Sequence, residues 1–164
     1  MTSDNPFSHL DESGRVQMVD VSEKPVTRRV AEASCRVILK AETVSALAGL
    51  PKGDAIAVAR LAGVQGAKRT SELIPLAHPL GLEQVEVEVV PDTQGVEIRS
   101  KVVVTARTGA EMEALVACST AALALYDMVK GMNRAAEITD VRLLEKEGGR
   151  SGAWRRPTAS GGTE

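Results

Sequence analysis

The stretch Gly109–Asn133, GAEMEALVACSTAALALYDMVKGMN, constrains the fold more than any other. Met112, Leu115, Val116, Ser119, Ala122, Leu123, Tyr126 and Val129 recur at three- and four-residue steps, which predicts one buried face of an α-helix. Ala and Leu fill most interior positions, and both favour helix. Glu111 and Glu113 fall in the first turn, where carboxylates meet the positive helix end, and Lys130 falls in the last. Asp127 and Lys130 stand on one side of the helix, beside the apolar stripe rather than opposite it. Arg107-Thr108-Gly109 brings a further cation up to the helix start.

Composition narrows what such a chain can do. At 164 residues it is expected to form one domain with a working core. Aromatics make up 2% of the residues, so Val, Ala, Leu and Ile must build that core, and no platform exists for stacking bases. The net charge of −2 supplies no basic footprint for a duplex, and no nucleic-acid partner is expected. No apolar run approaches membrane-spanning length, and no charged n-region precedes an apolar stretch, so no membrane is expected. Cys35 and Cys118 read as buried free thiols of a cytosolic protein. Neither histidine joins a cysteine or carboxylate at metal-ligand spacing, so no metal site is expected.

In chain order, residues 1–17 are polar and aperiodic and read as a flexible arm, followed by one domain over 18–152 and a loose tail over 153–164. Met18–Ser22 is a short strand or an ordered lead-in. Lys24, Arg28 and Arg29 form either a solvated loop or an anion contact. Ala33–Lys40 alternates as a strand with Ala33, Cys35, Val37 and Leu39 inward. Glu42–Leu50 is a short helix stopped by Pro51, and Asp54 caps a helix running from about Ala55 to Leu73. Ile74–Leu80 is a loop in which two prolines bracket His78, as structural support or as a functional imidazole. Glu83–Val90 and Val96–Arg107 make a hairpin about the turn Pro91–Gly95. After the long helix, Ile138–Leu144 is a last short strand.

That order, β-α-β-β-α-β, predicts an α+β protein: a ferredoxin-like antiparallel sheet with its helices on one face and a helical insertion in the first crossover. The opposite face, carrying Glu86, Glu88, Arg99 and Lys101, is left to water or a partner subunit. Such folds host many functions, so the charged positions have to decide. Lys52, Lys68, Arg69, His78, Lys130 and Lys146 all fall at element ends or in stiffened loops of a slightly acidic chain, with Glu111, Glu113 and Asp127 supplying carboxylates. That mixture suits a phosphorylated ligand undergoing proton transfers. A lysine crowded by other cations would lose affinity for its proton. Walker, Rossmann and Ser-His-Asp patterns are absent.

The strings MVDVS, KGDAIAVARLAGVQGAKRTSELIPLAHPL, TGAEMEAL, YDMVK and VRLLEKEGGRSG resemble the cyclic pyranopterin monophosphate synthase family, the molybdenum cofactor biosynthesis protein C family, over about Met18–Gly152. The resemblance implies a cytosolic lyase that acts on a cyclised dihydro-GTP and releases pyrophosphate. It implies no cofactor, and leaves a divalent ion on the phosphates as an open choice. It further implies a homo-oligomer, a hexamer of three dimers with sites at subunit interfaces, supplied by a radical-SAM GTP cyclase. Residue by residue, it makes Asp127 the catalytic acid/base with Lys130 beside it, and Lys52 the catalytic lysine of the KGD motif. Leu76, Ala77, His78, Met112 and Glu113 become substrate-binding, with Arg29, Glu111 and Lys146 as further pocket positions. Ala77 departs from the family, in which cysteine is common, so only its backbone is expected to contact substrate. The alternative is a non-catalytic sensor of a phosphorylated small molecule, which would need the cations but not Asp127 paired with Lys130.

Overall fold

A computed structural model describes residues 13–157. The elements are β1 (Thr27–Ile38), α1 (Ala41–Ala46) with a 3₁₀ turn behind it, α2 (Ala55–Lys68), α3 (Thr70–Leu73), β2 (Leu82–Asp92), β3 (Gly95–Ala106), α4 (Glu111–Val129), β4 (Glu137–Glu147) and β5 (Trp154–Arg155). One sheet holds the strands in the order β2-β3-β1-β4-β5, every neighbouring pair antiparallel. The first four strands make the ferredoxin-like arrangement, with α2, packed beside α4 and β2, as its first crossover helix and α1 and α3 as the added helical segments.

Period-two patterning explains the sheet. Ala31, Ala33, Cys35 and Val37 of β1 are buried, as are Val87 and Val89 of β2, beneath the helices. On the opposite face Lys101 pairs with Glu32 at 2.6 Å across the β1–β3 ladder, and Glu86 and Glu88 are exposed. The β2–β3 turn is shorter than expected. Pairing continues to Asp92 and Gly95, and the Asp92 carboxylate accepts the Gln94 amide at 2.8 Å.

Helix α4 is the central helix, but of the expected stripe only Ala122 and Val129 are fully buried. Its buried residues are Glu113, Ala114, Ala117, Cys118, Ala121, Ala122, Leu125 and Val129. Met112 and Leu123 are 37% and 61% exposed. The helix is apolar almost all round, so periodicity alone barely separates its faces. What decides is that α4 packs on the sheet and on α2 together, and close approach selects small side chains. A β-carbon on Gly66 of α2 would meet Thr120 Oγ1 at 2.5 Å, and one on Gly63 would meet the Ala117 carbonyl at 3.0 Å. Two hydrogen bonds then pin α4 to the sheet: Ser100 Oγ donates to the Ala114 carbonyl at 2.6 Å, and Cys35 Sγ to the Cys118 carbonyl at 3.2 Å. Both cysteines are buried and free.

Contrary to the reading that no apolar run approaches membrane-spanning length, α4 is long and apolar enough to cross a membrane by length and composition alone. Its buried face is spent on β1, β3 and α2 inside the domain.

The helix expected over Ala55–Leu73 breaks at Arg69 (φ −110°, ψ 12°), where the Thr70 hydroxyl donates back to the Ala67 carbonyl at 3.0 Å. The Asp54 cap forms as expected, its carboxylate accepting the Ile56 and Ala57 amides at 2.9 and 3.0 Å. Met18–Ser22 is an ordered lead-in without strand pairing. Of the arm, residues 1–12 lie outside the described residues, as does the tail from 158 onward. The near part of the tail is not loose. Trp154 and Arg155 pair with Lys146 and Glu145 of β4, and Arg156 Nε donates to the Leu143 carbonyl at 2.7 Å. This strand closes the β4 edge, leaving fewer unpaired backbone groups there.

Candidate active site

The first turn of α4 stands between two adjoining clefts. One, of about 430 Å³, is walled by Val19, Leu76, Ala77, His78, Met112 and Glu113. The other, of about 750 Å³, is lined by Arg29, Arg107, Lys146 and Arg150. Lys24, Thr108, Gly109 and Glu111 belong to both, so the clefts adjoin there. The residues expected to bind substrate (Leu76, Ala77, His78, Met112, Glu113, Glu111, Arg29 and Lys146) therefore come together, although they derive from four separate stretches of chain.

Each charged group is held by an identifiable contact. Arg29 Nε donates to the Ala106 carbonyl at 3.1 Å and its terminal nitrogen to the Arg107 carbonyl at 3.0 Å, which fixes the guanidinium at the end of β3. Lys146 pairs with Glu111 at 3.1 Å and donates to Ser151 Oγ at 2.9 Å. His78 Nε2 lies 2.9 Å from the Val19 carbonyl; a carbonyl only accepts, so that nitrogen carries the proton and ties the lead-in segment to the proline-bracketed loop. The Ala77 amide is already committed to the Ile74 carbonyl at 3.0 Å. Glu113 is 3% exposed. Burial pushes its carboxyl up to about 7, the negative Glu111 adding to the shift and a backbone hydrogen bond opposing it. A carboxyl poised there can take up or release a proton near neutral pH.

At the other end of α4 the three residues expected to be catalytic form a second, open cluster. Lys130 Nζ donates to Asp127 Oδ1 at 2.5 Å; Lys52 Nζ donates to the Asp127 backbone carbonyl at 3.1 Å and lies 3.9 Å from Oδ2. All three side chains are more than half exposed. The Lys130 hydrogen bond, reinforced by the charges of Lys130 and Lys52, holds the Asp127 carboxyl below its ordinary range. The reciprocal bond raises Lys130, opposite to the lowering expected of a lysine crowded by cations. The nearest charge to Lys130 is an anion, and it decides the sign.

The structure thus gathers the binding residues at one end of α4 and the expected catalytic group at the other, about 21 Å apart between Glu113 and Asp127 at helical rise. Lys24 and Arg107 line the clefts beside the expected residues. Both had shown as cations near Arg29 and the helix start, without a signal to rank them. Val19 and Ser151 were given no part; Val19 contacts His78 through its carbonyl and Ser151 contacts Lys146 through its hydroxyl, and such contacts leave little trace in residue type.

An α+β domain of this topology, with cations and a carboxyl raised toward neutrality around adjoining clefts, is of the class that can take up a small anionic molecule. The chain belongs to the MoaC family, whose model matches residues 18–149. It is similar to the cyclic pyranopterin monophosphate synthase of Streptomyces griseus, 51% identical over 98% of this chain and 92% of that protein. A protein of the same name from Thermomicrobium roseum is 53% identical over 92% of this chain and 93% of its own length. Cyclic pyranopterin monophosphate synthase 1 of Mycobacterium bovis is 53% identical over 92% and 90%.

Proposed function

We infer that this chain is a lyase of molybdenum cofactor biosynthesis. It converts (8S)-3',8-cyclo-7,8-dihydroguanosine 5'-triphosphate to cyclic pyranopterin monophosphate with release of pyrophosphate. The observation that carries this reading is the shared name of relatives 51% and 53% identical over more than nine-tenths of both chains. The placing of His78 and Glu113 in one cleft and Arg29 and Lys146 in the adjoining one supports it.

Forming the cyclic phosphate exchanges one P–O bond for another. An internal hydroxyl attacks the α-phosphorus and gives up its proton, and the bond to the departing pyrophosphate breaks. Arg29, Lys24 and Lys146 are suited to spread the phosphate charge. Glu113 is suited to proton transfer on the organic part, and Asp127, ionised beside Lys130 and Lys52, to a second exchange once a substrate alters its surroundings. Because one chain holds these carboxyls at opposite ends of α4, the working site takes its two halves from two copies. A two-fold dimer places the start of one helix near the end of its partner. Three such dimers in a hexamer, a cytoplasmic location and a radical-SAM GTP cyclase as the source of substrate belong to the same reading. It requires no cofactor, and turnover measured with and without a chelator decides whether a divalent ion assists the phosphates.

The test is incubation of purified protein with the cyclised dihydro-GTP while pyrophosphate release is followed. Binding without release would overturn the enzyme reading in favour of a sensor.

A further inference from the structure

The two clefts meet at a glycine, and the Glu111 carboxylate lies across it. The three atoms nearest to an ideal β-carbon on Gly109 are Oε2, Cδ and Oε1 of Glu111, all closer than real β-carbons approach anything. Gly109 does not have a left-handed backbone, so nothing in its conformation demands glycine. The demand is for space. The carboxylate that fills this space is the one that pairs with Lys146 at 3.1 Å, and Lys146 in turn donates to Ser151 at 2.9 Å. The Glu111 and Lys146 side chains are 29% and 27% exposed, so the pair is partly withdrawn from water. One seated carboxylate therefore links the start of α4, the end of β4 and the loop beyond it, where the two clefts adjoin.

We propose that Gly109 is a positioning residue: its missing side chain seats the Glu111 carboxylate against Lys146 at the junction of the clefts. A β-carbon at 109 turns the carboxylate out of that seat, parts it from Lys146 and leaves an unpaired negative charge among groups that meet phosphates. Lys146, released from the same pair, is no longer held in one position, so a phosphate meets a displaced carboxylate and an unanchored cation, and affinity falls. The displaced atoms are the far end of a flexible side chain, so the fold itself is spared. The activity and pyrophosphate readouts rest on the proposed function; the structural readout does not.

The experiment compares wild type, Gly109→Ala, Glu111→Ala and the double variant. Four quantities are measured: melting temperature, kcat and KM with the cyclised dihydro-GTP, inorganic pyrophosphate affinity by calorimetry, and a crystal structure of Gly109→Ala. Gly109→Ala is expected to melt within about 2 °C of wild type. It should lose about 10- to 100-fold in kcat/KM and bind pyrophosphate more weakly. Added to Glu111→Ala, the same substitution should change either quantity by less than about twofold, since no carboxylate remains to be unseated. Equal losses on both backgrounds, no loss in wild type, or a crystal structure retaining the Glu111–Lys146 pair would overturn the proposal. A large drop in melting temperature on both backgrounds would overturn it too, by making Gly109 a folding requirement. If wild type releases no pyrophosphate, the functional reading fails alone, and the crystal structure still decides the seat.

Discussion

Glu113 and Asp127 stand on one helix at angular positions about 40° apart and about 21 Å along its axis, and their surroundings drive the two carboxyls in opposite directions. Burial raises Glu113 to about 7. The hydrogen bond from Lys130, with the charges of Lys130 and Lys52, lowers Asp127. One helix thus carries a carboxyl ready to exchange protons at neutral pH and another held ionised, too far apart to share a reactive centre within a single chain.

Complementation tests whether two chains share the work. Inactive Glu113→Ala and inactive Asp127→Ala proteins, dissociated, mixed equally and reassociated, should recover about a quarter of native activity. Half of randomly formed dimers are hybrids, and each hybrid has one site with both native residues. No recovery, with hybrids confirmed by mass, would place both residues in a single-chain site or remove one from catalysis.

Asp127→Asn should keep the fold and lose about 10²–10⁴ in turnover, the usual cost of removing a general acid or base. The side chain is exposed and nearly isosteric with its replacement, so unfolding gives no alternative explanation. Near-native turnover by the folded variant would sink the assignment.

Lys52→Met and Lys130→Met should each lose activity while keeping the melting temperature within about 2 °C. Methionine preserves much of the apolar stem and discards the charge. If both variants remained active, their contacts with Asp127 at 3.9 and 2.5 Å would be no more than surface ion pairs.

Glu113 makes stability depend on pH. Below about 4.5 its carboxyl is protonated in both folded and unfolded chains and contributes nothing. Between about 4.5 and 7 the folded chain keeps a proton that the unfolded chain releases, so stability falls as pH rises, and above 7 the full cost is present. That cost is of order 3 kcal/mol. Glu113→Gln should therefore match wild type at pH 4 in denaturant titrations and exceed it by up to about 3 kcal/mol at pH 8. A difference that did not vary with pH would mean that Glu113 does not titrate in this range.

The strand alternation of β1, β2 and β3, the Asp54 cap and the order of elements were legible in the sequence, because each is set by neighbours within a few residues along the chain. The strings LIPLAHPL, TGAEMEAL and YDMVK likewise pointed to the family, and Leu76, Ala77, His78, Met112 and Glu113 of the first two do line one cleft. The buried face of α4 was not legible. Met112 and Leu123 are the more hydrophobic candidates, but the helix buries Ala114, Ala117, Cys118 and Ala121 in its middle and Leu125 and Val129 toward its end, a choice made by the sheet and α2 together. The protonation of Glu113 and Lys130 was decided in the same way. Residue type gives neither shift: Glu113 is desolvated beside Glu111, and Lys130 is bonded to Asp127. Local propensity and motif therefore belong to the sequence by itself. The choice of face, the seat of Glu111 over Gly109 and the direction of each proton affinity belong to the tertiary structure, since burial and charge proximity arise only when distant segments pack.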